Sequence, residues 1–177
     1  MKKIYFVLTY TGTFLSRVVR YYTKEQYSHI SIAFDEELKE MYSFGRFHAY
    51  NPFIGGFVQE SPNKGIYKRF PKTITKIYSL EVSEEQYQRM KEIILYFHNN
   101  KARFHFNTLG LFSVPFRMKW NRENHFYCAE FVKYVLENSN LNISLPEFVK
   151  PNDFQNISGM HEVYTGILKE YNLNCSE

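Results

Sequence analysis

The chain predicts an α+β fold, and three observations carry that prediction. Runs with strand character, alternating or continuously apolar, gather between residues 3 and 80. Runs with helical spacing alternate with them or come late, which suits an antiparallel sheet packed against helices better than a doubly wound one. No internal repeat or linker divides the 177 residues, enough for one domain with a real core and barely enough for two. The expected unit is a single domain over residues 1–177.

Residues 3–9 read as a buried strand, and Thr11-Gly12-Thr13 turns the chain into a short helix. Phe14, Leu15, Val18, Val19 and Tyr22 give that helix its apolar face, with Arg17 and Arg20 outside. Tyr27 to Phe34 alternates cleanly: Ile30, Ile32 and Phe34 share one face, and His29, Ser31 and Ala33 the other. The acidic turn Asp35-Glu36-Glu37 leads into a strand over 38–44, so the two form an antiparallel hairpin. Residues 45–72 are rich in Gly, Pro and aromatics and read as long loops around a short strand at 57–60.

A further strand covers 74–80. Ser83 with Gln86 has the form of a capping box, opening a helix whose buried face is Tyr87, Met90, Ile93, Ile94 and Phe97. Asn99-Asn100 ends it. Residues 101–124 alternate less clearly and contain Gly110 and Pro115; a helix follows from about Cys128 to 138–142, and a last helix is expected over 160–171.

Composition narrows the function. An apolar fraction of 44% and a charged fraction of 23% describe an ordinary globular chain. Aromatics make up 19%, which predicts a thick aromatic core and an aromatic-lined cleft. They are not interleaved with a basic patch, so nucleic acid is not an expected partner. A net charge of +4 is too mild to specify one. The only cysteines, Cys128 and Cys175, imply no disulfide framework. The apolar run after Met1-Lys2-Lys3 stops at Thr9 without a cleavage site, and no run approaches membrane-spanning length. Cytoplasmic location without stable membrane insertion is the default; oligomeric state is not legible.

Cys128 falls in the first turn of a helix whose apolar positions are Phe131, Val132, Val135 and Leu136. Unpartnered N–H groups and the helix dipole favour a thiolate there. Packing is the competing explanation, since cysteine is among the most buried residues. His29 opens a strand beside the small Ser31 and Ala33, which leaves room against its ring. If the Cys128 helix packs on that face, thiol and imidazole meet as a nucleophile and its base.

With His29 in Tyr-Ser-His-Ile-Ser-Ile-Ala-Phe and Cys128 in Phe-Tyr-Cys-Ala-Glu-Phe-Val about a hundred residues later, the chain resembles the permuted papain-like amidases. These are the YaeF/YiiX-type relatives of the NlpC/P60 superfamily, in which the cysteine helix follows the histidine strand. Gly110-Leu111 and Pro151-Asn152-Asp153-Phe154 fit the same pattern. The resemblance covers most of the chain. It implies a circularly permuted papain-like fold, Cys128 as nucleophile, and His29 as the base that later protonates the leaving group. Relatives orient the imidazole with Glu or another polar residue on the following strand. The best placement here is Ser43, with Glu60 and Glu40 as alternatives; a hydroxyl would stabilise imidazolium less than a carboxylate.

Glu130 is read as structural, favourably placed in the first helical turn. The oxyanion is assigned to the Cys128 N–H and a donor near Tyr10; Asn124, His125 and the aromatic loop 47–53 would line the mouth. The expected activity is hydrolysis of an amide, ester or thioester in a small molecule, lipid or peptide, with no cofactor and no metal. The alternatives are an acyltransferase, or an inactive lipid- or peptide-binding protein. Histidine spacing gives no convincing zinc set, and Gly55-Gly56 lacks the context of a phosphate loop.

Overall fold

The computed structural model describes residues 1–47, 54–108, 110 and 123–174. Strand β1 (Lys2–Tyr10) is apolar on both faces: Ile4, Phe6 and Leu8 belong to one buried cluster, and Tyr5 and Val7 to another. It therefore occupies the middle of a sheet. Its neighbours are β2 (His29–Ala33) and β5 (Ile74–Val82), followed outward by β3 (Met41–Arg46) and β4 (Gly55–Glu60) on one side and β8 (His161–Ile167) on the other. The six strands run in the order β4-β3-β2-β1-β5-β8, and every pairing is antiparallel. The α+β class and the β2–β3 hairpin are as the sequence reads.

One face of this sheet carries α3 (Glu84–Asn99) and α4 (Cys128–Glu137). The Ser83–Gln86 box opens α3: the Gln86 N–H donates to Ser83 Oγ at 3.1 Å, and the Ser83 N–H to Gln86 Oε1 at 2.9 Å. A cap of this kind contributes about 1 kcal/mol. Between sheet and helices the aromatics interlock, with Phe44 and Phe131 centroids 5.1 Å apart and Phe97 and Phe104 centroids 4.4 Å apart. Such pairs add roughly 0.5–1.5 kcal/mol each beyond their burial. The other face is covered by α2 (Gly65–Arg69), through Tyr67, and α5 (Leu168–Asn174), through Leu168 and Tyr171. Short strands β6 (His105–Phe106) and β7 (His125–Phe126) pair in parallel just before α4.

Two local expectations change. Residues 161–167 form β8 rather than part of a helix. Met160, Tyr164, Leu168 and Tyr171 imitate helical spacing, but Val163, Thr165 and Ile167 favour a strand and Gly166 disfavours a helix. The exposed edge of β5 supplies the partner, and Lys76 on it meets Glu162 at 3.0 Å. In α1 (Phe14–Thr23) the inward residues are Leu15, Ser16 and Val19, whereas Phe14 is 84% exposed and Tyr22 48%. Leu111, Pro115, Cys175 and loop residues 48–53 lie outside the described residues.

Candidate active site

Helix α4 starts at Cys128 because the chain is held there from both sides. Tyr127 is extended, its N–H donates to the Glu130 carboxylate at 3.0 Å, and its hydroxyl donates to the Val149 carbonyl at 3.0 Å. Burial is the leading influence on Glu130 and lifts its pKa to about 7, against the Tyr127 N–H, the Asn107 amide and the Lys133 charge. Ala129, Phe131, Val132, Val135 and Leu136 are fully buried, fixing the helix on β2 and β3. Cys128 is thereby a buried thiol at the first helical position.

His29 enters β2 opposite Thr9 of β1, and the preceding Ser28 N–H donates to the Thr9 carbonyl at 3.1 Å. The loop before it is tied down through Glu25, which accepts from Lys150 Nζ at 2.7 Å and from the Asn152 amide. Those two belong to the Lys150–Asp153 segment, whose neighbour Phe154 is fully buried against Phe6.

His29 and Ser31 point to the sheet face opposite Ile30 and Ile32. From two strands away, Glu60 reaches the same face: its Oε1 and Oε2 lie 3.1 and 3.3 Å from His29 Nε2, and Ser31 Oγ donates to Oε2 in a short contact. The Tyr67 hydroxyl donates to Oε2 at 3.4 Å and lies 3.3 Å from Thr9 Oγ1. A hydroxyl has one proton, so with Tyr67 giving its own to Glu60, Thr9 is the donor to Tyr67. Ring and carboxylate meet over Gly45, where a Cβ would lie 3.7 Å from Glu60 Oε1 and 3.8 Å from His29 Cε1. Side-chain space over β3 is left open for the pair.

Burial opposes a charged His29. The Glu60 charge, the Cys128 charge, and hydrogen bonds to both outweigh it, and the imidazole titrates above its usual 6.5. Burial likewise opposes a charged Glu60, yet His29 and the bonds from His29, Ser31 and Tyr67 hold its carboxyl below 4.5. Both partners shift in the direction that favours the ion pair. Tyr67, pushed well above 10 by burial and by Glu60, stays a protonated donor.

The thiol reaches this ring by a different route from the one the strand alternation suggests. Helix α4 packs on the Ile30 and Ile32 face, against Phe44, and not on the small-residue face of β2. Cys128 and His29 nevertheless lie close enough for the charge of one to favour the charged form of the other. They meet at the open end of β2, where both line one cavity of about 70 Å³ with Glu60, Arg46, Tyr67 and Phe106. That is room for a few water-sized groups.

Ser43 stands elsewhere. Fully buried, its hydroxyl donates to the Ile30 carbonyl at 2.8 Å, and the group against the imidazole is Glu60. Glu40 pairs with Lys91 Nζ at 2.5 Å. Asn124, His125 and Tyr10 do not line the cavity; Thr11, next to Tyr10, does. Tyr67 and Arg46 carried no signal in the sequence, since nothing in a five-residue helix or at a strand end marks them. Glu60 carried a faint one: it follows Val58 by two positions, which puts a carboxylate on an inward-facing row.

Among the described residues, no group of three or more His, Cys, Asp or Glu side chains could hold a metal ion, and no helix is long and apolar enough to cross a membrane. No protein-family model matches the chain, and no curated protein matches it.

Proposed function

We propose that the chain is a cysteine-dependent acyl hydrolase with a circularly permuted papain-like fold. One observation carries the reading: a thiol at a helix start, an imidazole and a carboxylate run in sequence along a single cavity. Glu60 takes the orienting role for which Ser43 is the sequence-based choice. Because Nε2 faces Glu60, Nδ1 is the nitrogen assigned to the thiol.

Cys128 Sγ, its proton moved to His29, attacks the carbonyl carbon of an amide, ester or thioester. The resulting oxyanion is received by the Cys128 N–H, one of the helix-start donors without an intrahelical partner. When the bond to the leaving atom breaks, His29 returns its proton to that atom and an S-acyl enzyme remains. Water then loses a proton to His29 and attacks the thioester; the acid departs and the thiol takes the proton back. Glu60 stabilises the imidazolium in both halves and keeps the ring aligned.

The test is the pH dependence of Cys128 alkylation by iodoacetamide, with Cys175 replaced by Ser to leave one thiol. The reading expects rapid alkylation well below the free-thiol range of about 8.5, its loss in His29→Ala, and turnover of acyl thioesters that vanishes in Cys128→Ser. An unreactive thiol, or one indifferent to His29, overturns the mechanism. Added amines that accelerate turnover and appear in the product would make the enzyme a transferase instead.

A further inference from the structure

Beside the thiol cavity opens a second, wider groove of about 770 Å³, and the two share Arg46, Glu60, Ile66 and Tyr67. Lys39, Arg46, Lys64 and Arg69 line it, and its one acidic side chain among the described residues is Glu60. That carboxylate is already engaged by His29, Ser31 and Tyr67. Lys39 also meets Glu37 at 3.0 Å on the exposed rim, a pair too solvated to cancel its charge in the groove. A concave wall bearing four cations and one neutralised anion concentrates positive potential next to the reactive thiol.

Arg46 is the link between the two spaces. It closes β3 at the His29 end of the sheet, donates to Thr13 Oγ1 at 3.2 Å, and lines both cavities. Its guanidinium is partly desolvated, the condition under which a charge-assisted bond to an oxyanion gains strength. A substrate whose carbonyl sits at Cys128 would reach the basic groove past Arg46, which lines both cavities, while Leu15, Val19 and Phe106 give the thiol cavity apolar lining. We propose that the groove binds a phosphate-type oxyanion carried by the substrate of the Cys128 site. The proposal rests on the acyl-hydrolase reading only for the position of the scissile bond.

The experiment separates the two. Inorganic phosphate is titrated into Cys128→Ala protein, and backbone amide resonances of residues 64–69 are followed. The expected result is saturable binding there, weakened roughly tenfold or more in the Lys39→Glu/Lys64→Glu double variant. The thermal transition of each variant shows that the exposed substitutions leave the fold intact. In the thiol-bearing protein, the preference for a phosphorylated over a neutral acyl thioester, read as a ratio of kcat/KM, falls to a similar degree. Absence of saturable binding, or binding indifferent to the charge reversal, overturns the proposal even if Cys128 proves reactive. Phosphate binding with an unreactive thiol would instead overturn the hydrolase reading and leave the groove standing. Vesicles of phosphatidylcholine with and without phosphatidic acid then distinguish a lipid-borne phosphate, which sediments the protein, from a soluble one, which does not.

Discussion

Replacing Glu60 by Gln is the sharpest probe of the site, because it removes a charge and keeps the shape and one acceptor oxygen. At 3.1 Å between Nε2 and Oε1, unit charges at an effective dielectric of 20 attract by about 5 kcal/mol. Desolvation of both groups reduces the net benefit, and opposite charges this close ordinarily move a titration by roughly 1 to 3 pH units. Glu60→Gln is expected to lower the imidazole titration by that amount. The thiolate–imidazolium equilibrium scales with imidazole basicity, so its constant falls roughly 10- to 1,000-fold. Histidine ring resonances followed against pH read the first quantity; iodoacetamide rates on the Cys175→Ser background read the second. Stability supplies an independent check. With the His29 pKa raised in the fold, its contribution is complete below the unfolded value of 6.5 and is lost as pH climbs through the folded one. With the Glu60 pKa lowered, its contribution is present above 4.5 and is lost on acidification. The pair therefore stabilises most between those two values, and there the variant loses most. Histidine and alkylation profiles that superimpose on the parent's would refute the assignment of Glu60.

Three further outcomes are expected. Ser43→Ala loses about 1 kcal/mol of stability in urea titration, from the buried Ile30 carbonyl left without its donor. Its alkylation profile matches the parent's, and a collapsed one would return Ser43 to the imidazole. Gly55→Ala destabilises by at least ~2 kcal/mol, because the new Cβ would sit 2.2 Å from the Gly45 carbonyl oxygen. It pries β4 from β3, so the alkylation rate falls along with the melting temperature. Glu130, with a pKa lifted to about 7, costs the fold on the order of 3 kcal/mol once ionised. Since that cost is absent below 4.5 and complete above 7, Glu130→Gln gains stability relative to the parent from pH 5 to pH 8; a difference constant over this range would exclude it.

Local chemistry made much of this chain legible. The alternation at Ile30, Ile32 and Phe34 fixed which face of β2 goes inward, and Ser83 with Gln86 marked the start of α3 to the residue. The placement of Cys128 in the first turn of α4 followed from the apolar spacing behind it, and the structure puts it at the first position. What sequence could not supply was whatever depends on a distant partner. The segment 161–167 becomes a strand because the edge of β5 is free to pair with it, and no local preference announces a free edge. Phe14 turns outward because the inward side of α1 is taken by Leu15, Ser16 and Val19, which line the thiol cavity. The choice among Ser43, Glu40 and Glu60 depends on the registers of β2 with β3 and of β3 with β4. A neighbour two strands away can lie anywhere in sequence.

The same dependence explains how the thiol and imidazole meet although they belong to opposite faces of the sheet. Alternation sends His29 one way, and the packing of α4 on Ile30 and Ile32 holds Cys128 on the other. Their only shared ground is the end of β2, where no further strand residue separates the faces. The axial level of His29 matters there as much as its identity. A slip of β2 by one residue against β1 would exchange the faces, driving the imidazole into the Phe44 and Phe131 cluster and Ile30 toward Glu60. Both are costly: one buries a polar ring without a partner, and the other leaves the Glu60 carboxylate without its counter-charge. The apolar alternation that builds the core thus also fixes the site, and the Ser28 N–H to Thr9 carbonyl bond is where the two requirements coincide.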